Sequence, residues 1–231
     1  MQARDQGRTT RRSNRGWDAA RWAIVVGIPV ALAVPTVVHA SSARLTDGFA
    51  TTVAVDDLVG EANGFELSTS AAGTVVRDTV AEITAGTGCT QVSAHEVLCA
   101  TVQQPDGFVF VLGNLGAGND TFTSTGLSLS VGGAAGDDTI TATGGGYYTI
   151  FGNDDDDTLV ADGARVSDSI DGGFGNDHLV STGGVVTRLY GYDGNDTLEG
   201  GNAIGGAGTD RIVGPAVLDW RGTGPAVTVT L

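Results

Sequence analysis

A glycine- and aspartate-rich phrase of eight residues returns six times between residues 115 and 212, and no ordinary globular core can be built from it. The copies read Leu115-Gly-Ala-Gly-Asn-Asp-Thr-Phe122, Gly133-Ala-Ala-Gly-Asp-Asp-Thr-Ile140 and Gly152-Asn-Asp-Asp-Asp-Asp-Thr-Leu159. They continue as Gly172-Gly-Phe-Gly-Asn-Asp-His-Leu179, Gly191-Tyr-Asp-Gly-Asn-Asp-Thr-Leu198 and Gly205-Gly-Ala-Gly-Thr-Asp-Arg-Ile212. The sixth position is always aspartate (Asp120, Asp138, Asp157, Asp177, Asp196 and Asp210), at intervals of 18, 19, 20, 19 and 14 residues. The eighth is always apolar. Residues 107–214 hold 26 of the chain's 37 glycines, and glycine adds backbone entropy while offering no side chain to bury. Self-similarity at such a period marks a stack of units, each too small to bury its apolar face alone.

A second apolar register stands two residues before the phrase, at Val131, Ile150, Ile170 and Leu189. Each period therefore predicts two short strands, each with an inward apolar residue, joined by two turns. One turn is the glycine–aspartate phrase; the other is a variable link such as Thr143-Gly-Gly-Gly146 or Asp162-Gly-Ala164. The expected fold is all-β, a parallel β-roll or β-solenoid over residues 107–214 with neighbouring strands about 4.8 Å apart. Glycine–aspartate clusters also make ordinary turns and flexible linkers, but neither accounts for the fixed apolar register.

Stacking would set the sixth-position carboxylates in a column. Two such charges repel by roughly 0.9 kcal/mol in water and by about 3.5 kcal/mol at an effective dielectric of 20. A hard divalent cation between coils reverses the sign. Ca²⁺ suits the position because it accepts about 6–8 oxygens in loose geometry, whereas Mg²⁺ demands a strict octahedron. Glycines at positions one, two and four are expected to supply positive φ and to aim carbonyls at the ion.

The six phrases resemble the Gly-Gly-x-Gly-x-Asp-x-apolar-x nonapeptide of the haemolysin-type calcium-binding (RTX) repeat family, over about residues 107–214. The resemblance implies that Asp120, Asp138, Asp157, Asp177, Asp196 and Asp210 supply side-chain oxygens. It also implies that the backbone of the turn glycines completes the shell: Gly116, Gly118, Gly133, Gly136, Gly152, Gly172, Gly173, Gly175, Gly191, Gly194, Gly205, Gly206 and Gly208. The fourth and sixth copies match the pattern fully. Three departures stand out. The motif occupies one turn per coil, which predicts a single row of four or five Ca²⁺ ions. Ala134 and Asp155 replace pattern glycines, which is expected to weaken their sites, and the short last interval does the same for Asp210. Of the run Asp154–Asp157 only Asp157 is read as a ligand, and Tyr147, Tyr148 and His178 are expected at the surface.

The flanks set the context. Six arginines (Arg4, Arg8, Arg11, Arg12, Arg15 and Arg21) precede the apolar run Trp22–Val38, and Val38-His39-Ala40 follows. This order predicts a signal peptide, residues 1–40, cleaved after Ala40. The 17-residue run, broken by Pro29 and Pro35, falls short of the roughly 20 residues that span a bilayer. Cleavage removes six arginines and two aspartates from the 12 basic and 27 acidic residues, leaving 6 against 25. A chain this acidic, without lysine, is excluded as a nucleic-acid binder.

Export places Cys89 and Cys99 in an oxidising compartment, where a disulfide closing a hairpin is expected. Residues 41–106 read as an N-terminal β cap, with strands at Thr51–Val55, Gly73–Val76 and Val80–Ile83, leading to a strand at Phe108–Leu112. Residues 215–231 read as a C-terminal cap or partial coil. Neither a Gly-x-Ser-x-Gly elbow nor a His-Glu-x-x-His motif occurs. The expectation is a secreted, non-enzymatic calcium-binding protein with no nucleic-acid or small-molecule substrate partner. The alternative is a cell-surface adhesin or matrix spacer that uses the same calcium-stiffened array.

Overall fold

In the computed structural model, both predicted apolar registers point inward from short strands. Residues 41–46, 52–57, 60–101, 109–163, 168–182, 187–214 and 226–230 are described. The expected signal peptide, residues 1–40, and residues 215–225 and 231 of the expected C-terminal cap lie outside them. Among the described residues the fold is all-β, without helix, in two mixed sheets of nine and eleven strands.

Ahead of the repeats come β1 (Ser41–Leu45), β2 (Thr52–Asp56), β3 (Gly64–Ser70), β4 (Gly73–Asp78), β5 (Ile83–Ala85), β6 (Cys89–Ser93) and β7 (Glu96–Cys99). The repeats then alternate between sheets. The nine-stranded sheet receives β8 (Phe110–Asn114), β10 (Ser128–Ala135), β12 (Tyr148–Asp154), β14 (Ser169–Phe174), β16 (Arg188–Asp193) and β18 (Asn202–Ala207). The eleven-stranded sheet receives β9 (Thr121–Thr125), β11 (Thr139–Thr143), β13 (Thr158–Ala161), β15 (His178–Ser181), β17 (Thr197–Glu199), β19 (Thr209–Val213) and β20 (Ala226–Thr230). Every neighbouring pair from β8 to β18, and from β9 to β20, is parallel. Antiparallel pairing is confined to the N-terminal part: β1 with β2, β3 with β4, and β7 with both β4 and β6.

Register places like on like. Val131, Ile150, Ile170, Leu189 and Ala203 stack in one sheet, and Phe122, Ile140, Leu159, Leu179, Leu198 and Ile212 in the other. All are buried. Burying one such side chain contributes roughly 1.5–3 kcal/mol, so a coil with two of them depends on its neighbours. The last interval is short because Gly200 and Gly201, both at positive φ, turn β17 directly into β18 and replace the longer link. The glycine–aspartate turn of that coil keeps its register.

Three expectations outside the repeats need correction. The strand placed at Val80–Ile83 begins only at Ile83: Val80 is 60% exposed, in a bend where Asp78 accepts the Val80 and Ala81 amides. The strand leading into the repeats is Phe110–Asn114 rather than Phe108–Leu112, and Phe108 lies outside the described residues. Tyr148 is 1% exposed, not a surface residue. It stacks on Leu129, and its hydroxyl accepts the Gly146 amide at 2.8 Å. Tyr147 and His178 do reach solvent. A disulfide joins Cys89 to Cys99 across the antiparallel β6–β7 pair.

Candidate metal centre in the stacked aspartate turns

The phrase makes the same bend in all six copies because two of its positions require positive φ. At position two these are Gly116 (95°), Ala134 (92°), Asn153 (85°), Gly173 (127°), Tyr192 (76°) and Gly206 (114°). At position four they are Gly118, Gly136, Asp155 (78°), Gly175, Gly194 and Gly208. Ala134 and Asp155 therefore strain the turn without altering its path.

Position one is different, and the expectation of positive φ there is corrected. Gly133, Gly152, Gly172, Gly191 and Gly205 lie in extended strands. They are glycine because an added Cβ would collide with the sixth-position carboxylate of the same turn. The first copy departs from this rule, with the buried Leu115 at position one.

That carboxylate lies inside the bend. Asp120, Asp138, Asp157, Asp177, Asp196 and Asp210 are each 1–2% exposed. Each Oδ1 accepts the backbone N–H of the sixth-position residue one coil earlier. Asp120 N donates to Asp138 and Asp138 N to Asp157 at 2.8 Å, and Asp157 N to Asp177 and Asp177 N to Asp196 at 2.9 Å. Asp196 N donates to Asp210 at 3.1 Å. The chain of bonds starts before the first copy, where Asn63 N donates to Asp120 Oδ1 at 2.6 Å.

The second oxygen of every one of these carboxylates, Oδ2, is buried with no hydrogen-bond partner. A buried acceptor left unpaired carries its full desolvation penalty, roughly 1–3 kcal/mol and more when charged. The space it faces holds another oxygen. A Cβ built on Gly133, Gly152, Gly172 or Gly191 would lie under 3.0 Å from both the Oδ2 of its own turn and the position-one carbonyl of the next coil. Four successive inter-turn positions thus bring together a carboxylate oxygen and a backbone carbonyl oxygen.

Ionisation is correspondingly disfavoured. Burial, the largest cause, raises the pKa of Asp157 to about 8, of Asp120 and Asp196 to about 7, and of Asp138 and Asp177 to about 6. The accepted amide opposes each shift, and neighbouring carboxylates such as Asp138 and Asp177 beside Asp157 add to it. Asp210, at the end of the column, shifts the same way for the same reason.

A second ladder runs outside the first. Fifth-position residues pass side-chain oxygens to the backbone of the next coil: Asp137 N donates to Asn119, Asp156 N to Asp137, Asn176 N to Asp156, Asn195 N to Asn176, and Thr209 N to Asn195. These side chains are exposed. Within the acidic run, Asp156 belongs to this outer ladder, Asp154 and Asp155 face solvent, and only Asp157 points inward.

Sequence reasoning missed a further turn. β2 and β3 pair in parallel with β8 and β9, so the described residues Asp57 and 60–63 flank the place of a seventh phrase, with Asn63 aligned to Asp120. Asn63 Oδ1 is buried and unpartnered, like the Oδ2 atoms beyond it. The available signal was Phe65, two residues after Asn63, repeating the sixth-to-eighth spacing. Asp168, on the opposite turn, was also missed; its Oδ1 accepts the Tyr148 amide at 3.0 Å.

Chemically, the column is a row of hard oxygen donors. No group of three or more His, Cys, Asp or Glu side chains with metal-binding proximity occurs among the described residues. A cation here would therefore rest on one or two carboxylates plus backbone carbonyls, a donor set that suits Ca²⁺ and not a soft metal. No family model matches the chain, and no curated protein or solved structure does.

Proposed function

We propose that this chain is a secreted calcium-binding protein of the RTX-repeat kind. The parallel repeat strands of its two mixed sheets are read as a β-roll, with Ca²⁺ held between successive glycine–aspartate turns. The observation that carries this reading is the column of six buried carboxylates, each with an unpartnered Oδ2, four of them beside a carbonyl of the next coil. Asp138, Asp157, Asp177 and Asp196 are the side chains that would hold the ions, with the position-one carbonyls of Gly152, Gly172, Gly191 and Gly205. Asp120 and Asp210 occupy the ends of the row.

Bound calcium would supply the positive charge that the buried column lacks. The protein's own residues do the rest: glycines at position one leave room for each carboxylate, and the amide ladder fixes each Oδ1 so that Oδ2 faces the next turn. Ion binding then becomes folding free energy, because the unfolded chain offers no such array. Little stability is expected where calcium is scarce, and full order where it is millimolar outside the cell.

The test is isothermal titration of the purified protein with calcium, paired with melting curves in calcium, magnesium and EDTA. Four or five calcium equivalents and a calcium-specific rise in Tm are expected. Identical melts in calcium and EDTA reject the reading.

A further inference from the structure

The outer face of β12, β14 and β16 carries a feature that calcium binding does not use. Across these strands Phe151 aligns with Asp171 and Tyr190, Asn153 with Gly173 and Tyr192, and Asp154 with Phe174 and Asp193. Gly173 sits at the centre of this three-by-three surface without a side chain, and a cavity of about 470 Å³ opens over it. No substitution fills that gap easily, because φ is 127° and a Cβ would collide with the Asn153 carbonyl.

Three exposed rings wall the cavity: Phe151 (36% exposed), Phe174 (62%) and Tyr192 (50%). Three carboxylates join them, Asp154, Asp171 and Asp193, and no basic residue lines the space. Among the described residues none of these carboxylates forms an ion pair. Tyr192 is held at φ 76°, where most equivalent turns place a smaller residue. A bulky residue at positive φ is an outlier, and such strain gathers at functional surfaces. Its ring stands 5.8 Å from that of Tyr190, which steadies it at the cavity edge.

We propose that this cavity binds an alkylated ammonium group, enclosed by the rings of Phe151, Phe174 and Tyr192 and neutralised by Asp154, Asp171 and Asp193. Charge complementarity selects the occupant. Aromatic faces attract a cation within about 6 Å of the ring centre, and the chain's net charge of −15 raises the local cation concentration. A metal ion, strongly hydrated, gains little from ring faces. A neutral sugar gains stacking and hydroxyl hydrogen bonds to the carboxylates but leaves their charge unneutralised. A weakly hydrated organic cation gains from both. The carboxylates involved are distinct from the inward column, so this inference does not depend on calcium binding there.

The experiment titrates the full-length protein with tetramethylammonium chloride at constant ionic strength, in saturating calcium and again in EDTA, followed by calorimetry and aromatic fluorescence. Glucose serves as the neutral probe. Saturable tetramethylammonium binding is expected, weakened about five- to tenfold by either Phe174→Ala or Tyr192→Gly. Because glycine relieves the strained φ, Tyr192→Gly should bind less while melting higher, which a merely structural role for this ring does not produce. Asp193→Asn should weaken binding and reduce its salt dependence. Absence of saturable binding, equal binding by the variants, or tighter binding of glucose overturns the proposal. An unchanged calcium titration in Phe174→Ala separates this site from the turns.

Discussion

Two buried aspartates, Asp78 and Asp157, show how differently the N-terminal part and the repeats are held together. Asp78 is fully buried, yet both its oxygens are used: Oδ1 accepts the Gly64, Val80 and Ala81 amides, and Oδ2 accepts the Ser41 hydroxyl. Asp157 accepts one amide through Oδ1, and its Oδ2 has no partner. The first carboxylate is completed by its own chain; the second, repeated six times, is left half-finished. Closed by antiparallel strands and the Cys89–Cys99 disulfide, the N-terminal part carries its own means of order. On the proposed reading, the repeats take theirs from an ion outside the chain, at the carboxylate oxygens that no protein group satisfies.

Removing that component is the harshest test of the contrast. Chelation with EDTA should sharply lower hydrogen-exchange protection in β11 to β19 while leaving it in β3, β4 and β7. The expected loss in the repeats spans several orders of magnitude in protection factor, since local opening there approaches global unfolding. Uniform protection across both parts, with or without EDTA, would erase the distinction.

Acidity should act on the metal-free protein in an unusual direction. The column's folded pKa values, raised mainly by burial to about 6–8, lie above the ordinary aspartate value of about 3.9. Between these values the folded state binds more protons than the unfolded chain. Stability is therefore full below about pH 4 and is lost as pH rises through 6 to 8. Melting curves in EDTA should move upward on going from pH 8 to pH 5. In calcium the trend should reverse, because protons compete with the ion for the same oxygens. A flat profile in EDTA means the carboxylates are satisfied in some other way.

Single substitutions sharpen the comparison further. Asp78→Ala leaves several buried amides unpaired and should destabilise by about 3 kcal/mol whether or not calcium is present. Asp177→Asn keeps the Oδ1 acceptor, removes the charge and places an N–H beside the Gly191 carbonyl. It should stabilise the EDTA form by about 1–2 kcal/mol while lowering calcium affinity. Asp154→Ala, on the exposed surface, should do neither. Chemical denaturation in calcium and in EDTA reads all three; matching responses for Asp78 and Asp177 would mean that the two aspartates do the same job.

Much of this was legible in the sequence because it repeats. The apolar register, the inward sixth-position aspartates and the single inward member of Asp154–Asp157 all follow from spacing alone. What hid did so for local reasons. The link between β2 and β3 is one residue longer in sequence than that between β8 and β9 and carries Asn63 in place of aspartate, so no motif flags it. Tyr148 lies beside the variable link, where no periodicity marks it as buried, and the strand expected at Val80 fails because Asp78 captures the following amides. The role of glycine at position one was invisible as well: sequence shows only that a side chain is missing, and the structure shows the carboxylate that fills its place.

The mildest prediction concerns the three turns that depart from the glycine pattern, at position two, position four or both. All four non-glycine residues in these turns sit at φ 76–92°, closer to the left-handed region than the 95–153° of their glycine counterparts. The bend bears the strain rather than changing course. Ala134 makes the cleanest probe, since its side chain supplies no hydrogen bond that would be lost with it, whereas Asp155 Oδ2 accepts the Gly136 amide. Left-handed alanine costs about 1–2 kcal/mol, against the 0.5–1 kcal/mol or so of extra unfolded-state entropy that glycine brings. Ala134→Gly should therefore stabilise by about 0.5–1 kcal/mol in calcium and EDTA alike. A gain confined to calcium would instead show that Ala134 perturbs the ion's oxygen shell, making positions two and four part of the binding geometry and not only of the bend.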